Sequence, residues 1–275
     1  MTHCGKFVCT NFVVLTTLAF MTVMTADTRG PARYLGFDRN QYPSDDAIPA
    51  LRKTFRFTGY WLNSPPGENS NTWKGKRAAL KSHGFGFLVL FNGRTYDQLK
   101  LPADAAALGT QDADIAATAA IAEGFPRRTV IFLDQEQGGR LLPEQRAYLH
   151  AWVDGVSHAG YRAGVYCSDI PSREAGGETV TTAEDIQRHA GRQKIVFWVA
   201  NDSCPPSPGC DLHAPPLDKD GVAFASVWQF AQSPRRVRFA SGCTNYHPDG
   251  NCYASGTSIF VDLDVAGSAD PSDGR

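Results

Sequence analysis

Several chemistries have no foothold in this 275-residue sequence. The seven histidines are scattered, and no His-x-x-x-His pair or His-Glu-x-x-His helix joins two of them, which leaves a zinc hydrolase without a basis. No Gly-x-Ser-x-Gly elbow occurs, so a serine hydrolase is disfavoured. No glycine-rich loop follows the first apolar run, as a dinucleotide site would require. Neither sign of charge is in excess: 27 Lys and Arg meet 28 Asp and Glu, net −1, whereas nucleic-acid partners need clustered cations. The short run Arg235-Arg236-Val237-Arg238 is the exception, and a solvated loop explains it as well as anion binding does. An uninterrupted run of about 20 apolar residues, enough to span a bilayer, is also missing.

What is present is an ordinary globular composition, 42% hydrophobic and 20% charged, sufficient for one large domain. The apolar block 12–24 follows a weakly basic start at Lys6, and small residues near Thr25 and Ala26 offer a cleavage point. Its length suits a signal peptide over 1–26 better than an uncleaved anchor. The mature chain is therefore expected to be secreted, extracellular or periplasmic, with no stable membrane insertion. Residues 31–267 would form the domain, as a monomer, and 268–275 a flexible tail. Of the five cysteines left after cleavage, Cys204 and Cys210 bracket a Pro-rich loop and Cys243 and Cys252 bracket a Tyr/His/Gly-rich one. In an exported chain two local disulfides, Cys204 with Cys210 and Cys243 with Cys252, are the natural reading, with Cys167 free or buried on an apolar strand. A four-cysteine zinc site is the competitor, although neither pair has knuckle spacing.

Apolar, β-branched or aromatic runs recur at 34–38, 57–63, 86–92, 129–134, 163–168, 195–201, 225–231 and 259–264. Helical spacing falls between most of them, at 45–53, 74–83, 111–123, 143–159 and 183–191. Alternation of this kind, with near-continuous apolar strands, indicates a parallel sheet. Eight runs favour a closed (β/α)8 TIM-type barrel over an open doubly wound sheet. The intervals 202–222 and 232–257 read instead as disulfide-bearing loops after strands six and seven. In such barrels the working residues lie at the C-terminal strand ends. Here those ends carry Asp38, Asn63, Asn92, Asp134 with Glu136, Ser168 with Asp169, Asn201 with Asp202, Gln229 with Gln232, and Asp262 with Asp264. Strand ends meet solvent and turn polar in any case, which accounts for part of this pattern.

The run Val130-Ile-Phe-Leu-Asp-Gln-Glu136 is the most informative. Side chains alternate across a strand, so Asp134 and Glu136 leave it on one face, within reach of one substrate. Buried apolar residues followed by two acids make little sense as packing, because ionised carboxylates are costly to bury unpaired. Glycosidic cleavage needs one carboxylic acid to protonate the leaving oxygen and a second carboxylate, or a substrate group, to meet the developing cation or activate water. Clustered acids disfavour one another's ionisation, and Glu136 is the choice for general acid, with Asp134, Asp38 and Asp262 completing the catalytic set. Tyr60, Trp61, Tyr166, Trp198 and Trp228 are candidate stacking faces for a sugar, while Asn63, Asn92, Arg94, Asp202, Gln229 and Asp264 are candidate hydroxyl or anion contacts. A calcium or magnesium site in the acids and a Cys167 nucleophile are weaker alternatives, and no metal or cofactor is required.

Tyr34-Leu-Gly-Phe-Asp38, the Phe-Leu-Asp-Gln-Glu run ending at Glu136, Gly164-Val-Tyr-Cys-Ser168, Phe197-Trp-Val-Ala200, Val227-Trp-Gln-Phe230 and Val261-Asp-Leu-Asp264 occur in the order seen in family-25 lysozymes. The chain more closely resembles the exported glycoside-hydrolase-like barrel domain, long catalogued as a domain of unknown function, from about Arg33 to Val265. The resemblance implies a TIM-type barrel with an acidic pocket, the proton donor at Glu136 and the neighbouring acids at Asp38, Asp134 and Asp262. It departs at strand six, where Asn201-Asp202 replaces the usual Tyr, and at strand eight, where Asp264 stands where Asn is common. The expected function is hydrolysis of a polysaccharide or peptidoglycan-like glycan of the cell wall or of related amino sugars. The alternative is a barrel that binds such a glycan without cleaving it.

Overall fold

A computed structural model describes residues 1–3, 32–100, 104–201, 214–232, 259 and 261–275. Asp202, Cys204, Cys210, Cys243 and Cys252 lie outside the described residues, as does the expected signal peptide beyond residue 3.

Eight strands close a TIM-type barrel. They are β1 (Tyr34–Asp38), β2 (Phe57–Trp61), β3 (Gly86–Asn92), β4 (Val130–Gln135), β5 (Arg162–Ser168), β8 (Val196–Ala200), β9 (Ala225–Ala231) and β10 (Asp262–Ala266). A hairpin, β6 (Ser172–Arg173) with β7 (Thr179–Val180), stands apart after β5. The strands are buried on both faces: every residue of β2 and β4 is buried, as a sheet covered by helices on one side and filled on the other demands. One strand departs from a strict (β/α)8 pattern. β10 pairs antiparallel with both β1 and β9, whereas the other pairs around the barrel are parallel. Asp262 therefore begins its strand at the end of the barrel where the other strands finish. Period-two alternation marks which side chains share a face but is identical in either direction of travel, so it could not reveal this reversal.

The surrounding helices are α1 (Ile48–Thr54), α2 (Arg77–Ser82), α3 (Tyr96–Leu99), α4 (Ala105–Ala122), α5 (Pro143–His158) and α6 (Thr182–His189). Helix α4 begins six residues before the expected start. Asp104 caps it by accepting from the Ala106 and Ala107 N–H groups, and its alanine-rich first turns favour helix without showing amphipathic spacing. It packs on α5 at close range: a Cβ on Gly109 would lie 2.2 Å from the Tyr148 carbonyl oxygen, and one on Gly155 would lie 2.6 Å from Ala113 Cβ. Between β8 and β9 the described residues hold only a 3-10 turn at Leu217–Lys219.

Glycines also shape the barrel interior. A Cβ on Gly36 would sit 1.9 Å from the Phe57 ring, and one on Gly164 would sit 2.5 Å from Phe132, so two large rings fill the bore where these strands carry no side chain. Small-against-large filling of this kind makes the barrel a packed core.

The C-terminal residues depart from the expected flexible tail. At the opposite end of the barrel from the acids they slot between β3 and β4: the Ser272 N–H donates to the Phe87 carbonyl at 2.9 Å and the Val130 N–H donates to the Ser272 carbonyl at 2.7 Å. The Val89 N–H donates to Ser272 Oγ at 2.9 Å, the Phe87 N–H to Asp270 Oδ1 at 2.8 Å. Gly86 permits the approach, since a Cβ there would meet the Ala269 carbonyl oxygen at 2.0 Å. A polar, Gly/Ser/Asp-rich composition resembles a linker, yet these groups satisfy strand N–H donors that the splayed ladder leaves open. Ser272 is fully buried. Its replacement by Ala strands the Val89 N–H and is expected to cost about 1–3 kcal/mol in urea unfolding, while Ser157→Ala on the exposed face of α5 stays within about 0.5 kcal/mol.

Candidate active site

Register assembles the mouth. Asp38 lies opposite Asp262 across β1 and β10, and Asp264 lies opposite Gln229 across β10 and β9. Asp134 lies opposite Tyr166 across β4 and β5, and Tyr166 opposite Trp198 across β5 and β8. Gly59 makes room for the first of these acids: a Cβ there would stand 2.8 Å from Asp38 Cβ. Asp38 and Asp134 are buried but retain 7% and 6% exposure, Asp264 retains none, and Glu136, one residue past β4, is exposed. The mouth thus has a solvent-facing acid above a layer of buried ones.

Hydrogen bonds run beneath this opening. The Tyr166 hydroxyl donates to Gln229 Oε1 at 2.8 Å, and Gln229 Nε2 donates to Asp38 Oδ2 at 2.8 Å. Gln232 Nε2 donates to the same Gln229 oxygen at 3.1 Å. On the other side Trp198 Nε1 donates to Asp264 Oδ1 at 3.1 Å, and the Trp198 ring packs on Tyr166 at 4.6 Å and on Phe132 at 5.7 Å between centroids. Among the described residues Asp134 Oδ1 and Asp264 Oδ2 are buried without a hydrogen-bond partner.

Burial drives the proton affinities. Desolvation pushes Asp38 up to about 6, with the charge of Glu136 adding to the rise and hydrogen bonds from Gln229 and Asp264 opposing it. Asp134 is held well above the usual carboxylate range by burial first, then by the charges of Glu136 and Asp38. Asp264 is likewise raised by burial and then by Asp38. The Tyr166 phenol is raised by burial and then by Asp38, Asp134, Asp262 and Glu136 together. One hydroxyl therefore senses all four acids proposed from sequence, which come from β1, β4 and β10.

Other candidates go elsewhere. Asn63 spends its side chain on the Asn92 backbone, accepting from the N–H at 2.7 Å and donating to the carbonyl at 3.0 Å, while Asn92 Nδ2 donates to the Ser64 carbonyl at 2.9 Å. Both amides tie β2 to β3. Arg94 forms a two-pronged ion pair with Asp112 on α4, at 2.7 and 2.8 Å, away from the acids. Tyr60 points to the helix layer, fully buried against Trp73, Phe87 and Phe125, with its hydroxyl on Glu123. Trp61 is almost completely buried, its Nε1 donating to the Arg39 carbonyl at 3.1 Å. Trp228 alternates to the outer face, where its Nε1 donates to Asn201 Oδ1 at 2.6 Å, and Asn201 Nδ2 donates to Asp169 Oδ2 at 3.4 Å and to the Asp220 carbonyl. Trp198 and Gln229 are buried beneath the acids, so they support the mouth from below. Cys167 is free and fully buried, its thiol pushed upward by desolvation, which removes the thiolate a nucleophile needs. Among the described residues no three His, Cys, Asp or Glu side chains are grouped to hold a metal ion. Two contributors escaped the sequence reading: Gly59, and Arg39, whose guanidinium is set against Asp262. A cation directly after the strand-one acid was the available signal for Arg39.

The family described as Rv2525c-like, glycoside hydrolase-like domain matches residues 56–205. No curated protein matches the chain. Similar solved structures include an uncharacterized protein of B. stearothermophilus, 19% identical with a TM-score of 0.55, covering 85% of this chain and 95% of that one. The Tat-secreted protein Rv2525c of Mycobacterium tuberculosis is 15% identical with a TM-score of 0.51, covering 89% of this chain and 98% of that one. The spore cortex lytic enzyme SleM of Clostridium perfringens is 15% identical with a TM-score of 0.54, covering 87% of this chain and 69% of that one. At these identities the likeness is one of fold.

Asp38, Asp134 and Asp264 all bind protons more tightly folded than unfolded, so their contribution to stability is complete below about pH 4 and is lost as pH rises through about 6 for Asp38 and through the raised range of each of the other two. Asp134→Asn removes one of these burdens. Urea midpoints measured from about pH 4 to about pH 8 should fall less steeply for the variant than for the parent, with the variant more stable by about 0.5–2 kcal/mol near neutrality. Parallel curves would contradict the assignment.

Proposed function

The chain belongs to the Rv2525c-like family of glycoside hydrolase-like domains, and from that premise we propose that it is a secreted hydrolase of cell-wall or related amino-sugar glycans with Glu136 as general acid. The observation that carries this reading is the gathering of acids at one end of the barrel, with Asp38 opposite Asp262, Asp134 opposite Tyr166 and Glu136 exposed one residue past β4. Glu136 is the solvent-facing member, able to meet a glycosidic oxygen arriving from outside, while Asp38 and Asp134 lie beneath it. In this role Glu136 protonates the leaving oxygen, and Asp134 and Asp38 orient the sugar or support its N-acetyl group as internal nucleophile. Asp262, beside Arg39, completes the acidic wall. Tyr166 retains part of its surface at the mouth and offers a face to a sugar ring.

The name of SleM as a spore cortex lytic enzyme supports a cell-wall substrate, and the name of Rv2525c as Tat-secreted supports export. The apolar block behind Lys6 supports it independently as a signal peptide. Among the described residues no helix is long and apolar enough to cross a membrane. The protein works as a monomer on a polymeric glycan. A second reading, glycan binding without cleavage, is favoured by the exposure of Glu136, because a general acid usually gains its proton from burial.

Reducing ends released from peptidoglycan or chitin by the purified protein decide between them. Glu136→Gln is expected to lower turnover by about 10²-fold or more while leaving glycan binding in place. Turnover that survives the substitution would remove Glu136 from the chemistry. No turnover by the parent, with binding retained in both, would establish the binding barrel.

A further inference from the structure

Asp264 is the deepest acid of the cluster. It is fully buried on β10, one inward-facing position below Asp262, and among the described residues it has a donor on one oxygen only: Oδ1 accepts from Trp198 Nε1 at 3.1 Å, whereas Oδ2 is buried with no donor. Among the described residues its other side-chain neighbour within hydrogen-bonding reach is Asp38. Two carboxylates cannot hydrogen-bond each other, because both are acceptors only. A single proton between them converts the contact into a strong charge-assisted bond.

We propose that Asp264 is a positioning residue for the reaction at this mouth: it remains protonated, donates to Asp38, and so fixes Asp38 as the ionised and oriented member of the pair. The substrate toward which Asp38 is oriented rests on the glycan-hydrolase reading above; the location of the proton does not. Asp38 is the better seat for the charge. It has a second donor in Gln229 Nε2 at 2.8 Å and some access to solvent, while the donor to Asp264 is a neutral indole and its burial is complete. The surroundings agree. Facing Asp264 and its partner are Asp38 and Arg39 from β1 and its end, Asp134 and Glu136 from β4 and its end, Tyr166 from β5, Trp198 from β8, Gln229 from β9, and Asp262 from its own strand. The cation among them, Arg39, is set against Asp262. Burial and the neighbouring negative charges therefore both oppose ionisation of Asp264.

Two hydrogen-bonded arms then converge on Asp38, one from Tyr166 through Gln229 and the other from Trp198 through Asp264. Loss of the Asp264 proton turns the second arm from an attraction into a repulsion, so Asp38 leaves its place as pH rises. Asparagine at 264 can keep both contacts, with Nδ2 donating to Asp38 and Oδ1 accepting from Trp198, and it cannot titrate.

The test compares the parent with Asp264→Asn, Asp264→Ala and Asp134→Asn, all as the purified protein. In infrared spectra at neutral pH, the stretch of protonated carboxyls should lose the component of Asp264 in Asp264→Asn, whereas Asp134→Asn, which removes a different raised carboxyl, should leave the Asp264 component in place. Unchanged intensity in Asp264→Asn overturns the proposal. On peptidoglycan, turnover by Asp264→Asn should stay within about threefold of the parent near pH 6 and extend to higher pH, while Asp264→Ala loses about tenfold or more. An alkaline limb identical in parent and Asp264→Asn, or an Asp264→Ala variant as active as the parent, also overturns it. If the parent neither binds nor cleaves the glycan, the functional reading fails alone, and the infrared comparison still decides where the proton resides.

Discussion

Closure of the barrel through the antiparallel pairing of β10 with β1 and β9 governs what happens at the mouth. Antiparallel partners exchange hydrogen bonds directly across the pair, which locks Asp38 opposite Asp262 and Asp264 opposite Gln229. Without that register the acids of β10 would have no fixed relation to the acid of β1. Burial then does the chemical work. Taking Asp38, Asp134 and Asp264 out of water disfavours their charged forms, and their mutual repulsion adds to the effect. Such groups are costly to the fold, and three of them gathered at one end mark a candidate site.

The cost is offset by a core in which absence of side chains is as specific as their presence. Gly36 under Phe57, Gly164 under Phe132 and Gly59 under Asp38 each leave a space that a neighbouring strand fills. The last is the link between packing and function, because the acid of β1 can lean into the bore only where β2 carries no Cβ. At the other end the residues around Ser272 complete the hydrogen bonding of β3 and β4 and so seal the barrel below.

Outside the barrel a second polar layer holds the segments that follow the strands. Asn201 ties Asp169 and the Asp220 backbone to Trp228, and Asp185, fully buried on α6, is faced by Arg140, Arg146 and His189 and accepts from the Leu141 N–H. The residue after β8, Asn201, is committed to that outer layer. Alternation at the end of β8 accounts for this, since the residue after Ala200 points away from the bore.

Local pattern alone was enough to establish the eight apolar runs, their alternation with helices and the pair Asp134 and Glu136 on one face, because burial on both faces and the two-residue period are written into neighbouring residues. The choice of Asp38 and Asp262 as their companions followed from the rule that barrels work at strand ends. The direction of β10, the outward turn of Tyr60 and Trp228, the diversion of Asn63, Asn92 and Arg94 to structural contacts, and the seating of residues 268–275 were settled only in three dimensions. In each case the deciding partner lies far along the chain: Asp38 for Asp264, Glu123 for Tyr60, Asp112 for Arg94, Phe87 for Ser272. A polar side chain in sequence shows that it needs a partner, and only the closed barrel determines whether that partner is a backbone amide, a buried acid or an incoming sugar.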